Sequence, residues 1–600
     1  MTALSHETIS MDEVSIDEIR KTVEKLCSIE DKIAGSEAEK KAVRYLKKRL
    51  LEYGLSDISE QAFEVHSWQP MSCNFRVTKP VQKEIKAVVL PYSKSAKIEG
   101  QLFQLQTMYP EILEENHGMI GVTTWGSDLF LGPMKAYFSA LDHKTKAVII
   151  TSPKEGELHK VVVISSGELL KIPALNVTKE DGDFLFSLIK KGPVDVEIDI
   201  DIEYSDRGES QNLVAMIHAT RESKEEIVIG AHTDAWFKGA AENAAPNAII
   251  LELARLIQKH IKDGRDLKRN VRFILFGAQE SGSKDFYYWC NGSKAYINDN
   301  PDSVENAVAI LVMDSIGFPA PVRNQIGVTS DLFEITTNVK KDAKGLDIEY
   351  YEPPGYESDH WFFEIIGVPA IYCVADYSDL YHTQKDDAEH LDYDVIRFYA
   401  EFLKDMLLHL ASSEVIPVNL FRPLSIFQEI LSSHTRRKDS PFDLSQLLSK
   451  IIRILNQKKH FEREIKRITE KGTSVEKKEL NRFLLSSTRM MNKTIGWIWR
   501  RSPPNDTSYL ARMELIEDYI DLNVAIRAIR SMPISNVGIH SAIKLNKQRE
   551  NPYNWIKVHE PLSLLEEERS KIFQEIESEI SNLTEILDNI SNGISTFLEG

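Results

Sequence analysis

The sequence predicts an α/β protein: a mixed, mostly parallel sheet flanked by helices, with a β-rich inserted segment and an all-α C-terminal part. Three observations predict it. From Asn212 onward, apolar strand-like runs alternate with amphipathic helical ones, the pattern of parallel strands covered on both faces. Between about Lys86 and Tyr204 the texture is instead short β-rich runs separated by turn residues. From about Asp443 to the end the periodicity is almost wholly helical.

Taken in order, residues 1–84 open with apolar positions at helical spacing from Ile16 to about Leu55, and Gly54 stands where a helix would stop. Residues 85–205 hold the runs "KAVVLPY", "KAVIITS", "KVVVISS" and "VDVEIDIDIEY", plus one helix around "KEDGDFLFSLIKKG". Residues 206–412 alternate: "NLVAMIH", "EIVIG", helical "NAIILELARLIQKHI", then "VRFILF", "NAVAILVM" and "VPAIYCV". Residues 413–600 are helical. Their last helix carries Ile572, Ile576, Ile580, Leu583, Leu587, Ile590 and Ile594 at steps of three or four, a stripe that suits a bundle core or a subunit interface.

Composition narrows the function classes. Six hundred residues with 42% apolar content suffice for two to four domains. Acidic residues outnumber basic ones by 91 to 73, so neither a nucleic acid nor an anionic membrane is expected as partner. Cys27, Cys73, Cys290 and Cys373 are far apart and form no CxxC pair, which points to reduced thiols. With no basic n-region before an apolar core at the start, and no apolar run of membrane-spanning length, a cytoplasmic protein is expected.

In an open parallel sheet, ligands gather outside the carboxyl ends of the strands, and acids and histidines collect there in this chain. His232 and Asp234 follow "EIVIG", with Glu242 ten residues beyond His232; Gln279 and Glu280 follow "VRFILF"; Asp314 ends "NAVAILVM"; Tyr381 and His382 follow "VPAIYCV". Two imidazoles and three carboxylates at one edge are a donor set for one or two zinc ions, with Glu242 as a shared bridge and Asp234 behind. Each also has a plainer reading. A histidine after a strand often bonds backbone, Glu242 could serve its helix N-terminus, and Asp314 could cap a turn.

The ordered segments "GAHTDAWFKGAAEN", "FGAQES", "MDSIG", "ESDHWFFEIIGVPA" and "YHTQKDDAEHLD" resemble the co-catalytic di-zinc exopeptidases, a family of aminopeptidases, glutamate carboxypeptidase II and transferrin receptors. Trp236 suggests the glutamate carboxypeptidase branch. "KIPALNVTKEDGDFLFSLIKKGPVDVEIDI" resembles that branch's protease-associated insertion, and the C-terminal helices resemble its dimerisation domain. The resemblance implies a zinc-exopeptidase fold and two zinc ions, one held by His232, Glu242 and Asp314, the other by Glu242, Glu280 and His382. It further implies that Asp234 orients the site, that Tyr381 stabilises an oxyanion, and that a homodimer forms through the C-terminal helices.

Two departures bear on activity. The family ends this strand in Glu-Glu, where the first acid takes a proton from the metal-bridging water; here the first position is Gln279, an amide without a basic site of useful pKa. Glu242 stands where the family's bridging ligand is normally Asp. The reading is therefore a metal-dependent exopeptidase hydrolysing terminal peptide bonds through an unusual base, with Glu242 or Asp359 as substitutes. The alternatives are a pseudo-peptidase that binds or scaffolds, and a hydrolase of another amide. Arg323 is a candidate to grip a terminal carboxylate.

Overall fold

The computed structural model describes residues 13–499 and 562–599, apart from 30, 107–115, 127, 165–166, 284–288, 340–344, 356 and 437–440. Ser15 and Ser36 cap two N-terminal helices, α1 (Ile16–Cys27) and α2 (Glu37–Tyr53), and Gly54 ends the second in the left-handed region at φ 92°. The chain then runs through β1 (Asp57–Lys79), β2 (Lys83–Ile85), β3 (Ala87–Val89), β4 (Ala96–Gln104) and β5 (Ile120–Thr124). Next come α3 (Leu131–Asp142), β6 (Ala147–Thr151), β7 (Ala174–Val177), α4 (Lys179–Ile189), β8 (Asp195–Ile217) and β9 (Glu226–His232). A short π-turn at Ala240–Ala244 leads into α5 (Ala245–Lys262). Alternation continues with β10 (Asn270–Phe276), α6 (Asn291–Asp299), α7 (Pro301–Asn306), β11 (Ala307–Met313), β12 (Asn324–Val328), α8 (Phe333–Asn338), β13 (Ile348–Tyr351), α9 (His360–Ile365), β14 (Ala370–Ala375) and α10 (Tyr393–Ser412). Helices α11 (Phe421–His434), α12 (Ser445–Lys471), α13 (Ser474–Trp499) and α14 (Leu562–Glu599) complete the described chain. Residues 500–561 of the expected helical run lie outside it.

Strands β10, β9, β11 and β14 pair in parallel in that order, so their carboxyl ends share one edge. Alternation along a strand buries both faces: Ile227 and Ile229 join the core beneath α1, α2, α5 and α10, while Val228 joins a second core with Tyr296 of α6, Val304 of α7 and Phe363 of α9. Antiparallel pairing appears at the flanks, where β8 pairs β10 and β12 pairs β14. The mixed, mostly parallel sheet with flanking helices is the expected architecture.

Strands β1 and β8 form a long antiparallel ribbon, Asp57 opposite Met216 at one end and Lys79 opposite Asp195 at the other. One end of β8 pairs β10; the other pairs β4, which leads on to parallel β5, β6 and β7 over a separate core. The position 205/206 thus falls inside a continuous strand. Two features differ from expectation. A second helix, α3, accompanies the expected α4 in this β-rich segment. Among the described residues of "KVVVISS", 160–164, there is no strand: Val161 and Val163 are buried, and the neighbouring His159 makes an isolated bridge to Thr383. Burial satisfies its β-branched side chains without a ladder.

The stripe on α14 is covered within the chain, where Ile572, Ile576, Leu583, Leu587, Ile590 and Ile594 pack with Leu447, Ile451 and Ile454 of α12. Among the described residues no helix is long and apolar enough to cross a membrane. All four cysteines are free.

Candidate metal centre

The parallel register sets His232 opposite Phe276 and Met313 opposite Cys373, so the residues just beyond these strand ends converge. His232 Nε2 lies 2.7 Å from Glu242 Oε1 and 3.4 Å from Asp314 Oδ1. His382 Nε2 lies 2.6 Å from Glu280 Oε1. Donor atoms of His232, Glu242 and Glu280 all fall within 4.8 Å of one another, a cluster able to hold a metal ion. Sequence thus placed its five expected ligands at one buried edge.

Backbone amides around this edge are held by carboxylates and amides set further back. Asp234 accepts the Gln279 and Glu280 N–H groups, both at 2.9 Å. Glu39 accepts the Ala278 N–H at 3.2 Å, and Asn212 the Gly277 N–H at 3.0 Å. Asp386 accepts the N–H groups of Ala241 (2.8 Å) and Glu242 (3.1 Å), tying the Glu242 turn to the loop that carries His382. The Trp236 indole donates to Glu280 Oε2 at 3.2 Å. Four non-glycine residues here are left-handed, Phe237, Ala278, Ser315 and His382 at φ 52° to 57°. Each such conformation costs about 1–2 kcal/mol, so the surrounding bonds impose it.

Proton positions follow from the partners. His232 Nδ1 is 3.0 Å from the Asp234 carbonyl, which can only accept, so Nδ1 carries the hydrogen. In the neutral ring Nε2 is then the nitrogen whose lone pair faces Glu242 and Asp314. Burial pulls the His232 imidazole down, but Asp314, Asp234 and Glu242 outweigh it and hold it well above its ordinary range. Burial, reinforced by the Asp314 charge, drives the Glu242 carboxyl well above the carboxylate range. Crowded buried acids with an imidazole lone pair aimed among them are the electrostatic signature of a cation site. Nitrogen and oxygen donors of this kind fit zinc.

Beside the cluster a cavity of about 390 Å³ is lined by Gln279, Glu280, Asp314, Tyr381 and His382, with Phe130, Val162, Trp289, Tyr351, Tyr372, Glu357 and Asp376 around them. Phe130 and Val162 come from the inserted segment. The Phe130 ring meets Tyr381 and His382 edge-on at 6.5 and 6.3 Å, and Tyr381 stacks on His382 at 3.8 Å. The Lys160 N–H donates to the His382 carbonyl at 3.0 Å, so "KVVVISS" is used to brace the site. The Gln279 side chain donates to the Glu357 carbonyl at 3.3 Å and to Asp314 Oδ2 at 3.5 Å.

Two sequence candidates fall elsewhere. Arg323 does not line the cavity; it is half-exposed and held by Asp376 at 3.0 Å and Glu349 at 2.9 Å. Asp359 is fully buried and outside the lining, its carboxyl pushed up to about 7 by burial. Glu242 is enclosed between His232 and the Ser315 hydroxyl. Sequence reasoning passed over Glu39, Asp386, Phe130 and Glu357. Only Glu39 left a signal, being a carboxylate inside the apolar stripe of Ala42, Val43, Leu46 and Leu50.

Residues 212–406 match the sequence model of peptidase family M28. Among curated proteins, the chain is similar to transferrin receptor protein 2 of Mus musculus, 26% identical over 239 residues, 35% of this chain and 29% of that one. It is also similar to a "probable glutamate carboxypeptidase" of Arabidopsis thaliana, 23% identical over 375 residues, 55% of this chain and 52% of that one. The chain thus spans about a third to a half of the length of these relatives. Among solved structures, a zinc aminopeptidase from Bacillus subtilis superposes with a TM-score of 0.55 at 19% identity, covering 67% of this chain and 96% of that one. A peptidase M28 precursor from Shewanella amazonensis gives 0.53 at 19%, covering 67% and 98%. The parallel strands and the His/Glu/Glu cluster at their carboxyl edge lie within the segment, residues 212–406, that matches peptidase family M28.

Proposed function

We propose that the chain is a zinc-dependent exopeptidase acting on terminal peptide bonds. The observation that carries this reading is the convergence of His232, Glu242 and Glu280 donor atoms within 4.8 Å at the strand ends of an M28 segment. Asp314 and His382, each in contact with one of these, complete two sets of ligands that share Glu242. Zinc bound there would polarise the scissile carbonyl and acidify a water. The protein's own groups do the rest: Asp234 fixes the Gln279–Glu280 turn, the Trp236 indole orients Glu280, and Tyr381 stands in the cavity wall to meet a developing oxyanion.

Among the described lining residues none is Lys or Arg, and Arg323, outside the lining, is held by Glu349 and by the lining acid Asp376. That supports a substrate with a free α-amine over one gripped by its α-carboxylate. The test is cleavage of a mixed peptide library by zinc-loaded protein, read by mass spectrometry. N-terminal trimming that chelator abolishes and zinc restores is the expected result. Folded, zinc-containing protein that trims nothing would favour the second reading, a pseudo-peptidase, which the amide of Gln279 at the base position supports.

A further inference from the structure

Two loops carry the side chains that meet at Glu280: the turn at 233–238, whose Trp236 indole reaches Oε2, and the loop of His382, whose imidazole reaches Oε1. Each passes through a left-handed residue, Phe237 at φ 53° and His382 itself at φ 57°. Neither is glycine, so bonds from outside each loop must hold the conformation. One lysine of the inserted segment reaches both loops. The Lys160 N–H donates to the His382 carbonyl at 3.0 Å. Its ammonium, on a side chain only 4% exposed, lies 2.6 and 2.7 Å from the two carboxylate oxygens of Asp31. Asp31 in turn clasps Phe237 from both sides: its Oδ1 accepts the Phe237 N–H at 2.8 Å, and its own N–H donates to the Phe237 carbonyl at 2.7 Å. The ammonium also stands 4.5 Å from the centre of the Phe237 ring. A buried ammonium is tolerated only with its partner in place, so this pairing fixes the distance between the two loops.

Resting on the zinc reading above, we propose that Lys160, acting through Asp31, is a positioning residue for the metal position of Glu280 and His382, and that the inserted segment thereby sets the occupancy of that position. The other position is held in a different way. His232 ends β9, Asp314 follows β11, and these two strands pair in one ladder; the Asp314 N–H donates to the Cys373 carbonyl at 2.9 Å. Cutting the strut lets the His382 loop and the Phe237 turn relax apart, so imidazole and carboxylate no longer meet at a fixed separation, while the strand-end ligands stay where the ladder puts them.

The test is zinc titration of the chelator-stripped full chain against a chromophoric chelator, the His382-dependent step being the one that His382→Ala removes. Lys160→Met keeps the length of the side chain and removes its charge. The affinity of the His382-dependent step should fall about 10- to 100-fold while the other step stays as in wild type. Lys160→Arg, which keeps the charge and the donors, should hold most of the wild-type affinity. Asp31→Asn breaks the pair from the other side, keeps an acceptor for the Phe237 N–H, and carries the test should Lys160→Met fail to fold. It should give the same one-sided loss, and the double variant should lose no more, because both changes cut one strut. Equal losses at both steps mark a merely structural lysine and overturn the proposal, as do variants that titrate like wild type; both outcomes leave the zinc reading standing. Wild type without a zinc step that depends on His382 overturns the proposal and the two-ion reading together.

Discussion

Trp236 supplies a test of how the donor side chains are held. Its indole N–H reaches Glu280 Oε2 while His382 occupies Oε1, so both oxygens of that carboxylate are spoken for. Groups that orient metal-binding side chains typically contribute 10- to 100-fold in metal affinity. Trp236→Phe keeps an aromatic ring but loses the donor, and zinc affinity should fall at least about 10-fold in competition with a chromophoric chelator. Unchanged affinity would mean that Glu280 is positioned by His382 alone. Asp234→Asn is the harsher change, because an amide cannot accept at both ends and one of the Gln279 and Glu280 N–H groups would face its NH₂. Losing that bond in a buried turn should destabilise the protein by about 1–3 kcal/mol, read by denaturant titration of the chelated form. At this scale the sequence was legible wherever a strand end announced a site, as at His232, Glu280, Asp314 and His382. It was not legible for Asp386 or Glu357, which sit in loops whose course depends on tertiary contacts that no periodicity encodes.

Elements were legible to the degree that their pattern was local. Capping serines and Gly54 marked the N-terminal helices, and unbroken apolar runs marked β9, β10, β11 and β14. "KVVVISS" had a strand's composition and became a brace, because strand formation needs a neighbour, and its described residues follow a one-residue bridge from His159 to Thr383 rather than a ladder. Nor does local pattern show how the helices dock on the sheet. There Asn492 of α13 donates to Asp331 Oδ1 at 3.2 Å, Arg489 caps the Ala307 carbonyl at 2.8 Å, and Asn481 accepts the Ile416 N–H at 2.8 Å. Burial pushes the Asp331 carboxyl up to about 6, so the folded state keeps its proton at a pH where the unfolded chain has lost it. Stability from this group is therefore present below about pH 4 and is lost as pH rises towards 6, by up to about 3 kcal/mol. Asp331→Asn removes the titration while retaining an acceptor for Asn492. The variant should gain stability relative to wild type between pH 4 and 6.5, measured as the difference in thermal midpoints; a constant difference would place the Asp331 carboxyl in a solvated setting.

At the scale of the whole molecule, the sheet's cores are joined through strands and the helical core is joined through side chains. Strands β1 and β8 pass through the two bodies of the sheet, so neither body can unravel without breaking a ladder shared with the other. The helical core, with Ile590 and Ile594 at its centre, contributes no residue to the metal cluster. On the proposed function zinc would bind only the folded arrangement of the strand ends, so at about a thousandfold excess over its Kd it should stabilise the sheet by about 4 kcal/mol. Ile590→Ala, by contrast, opens a cavity in the bundle and should remove about 2–5 kcal/mol there. Scanning calorimetry should therefore resolve two transitions, one raised by zinc and lowered by chelator, the other lowered by Ile590→Ala and indifferent to metal. If both perturbations move a single transition together, the contacts of Arg489, Asn481 and Asn492 are strong enough to fuse bundle and sheet into one cooperative unit. Zinc at the strand ends would then report on the folding of helices that never touch it.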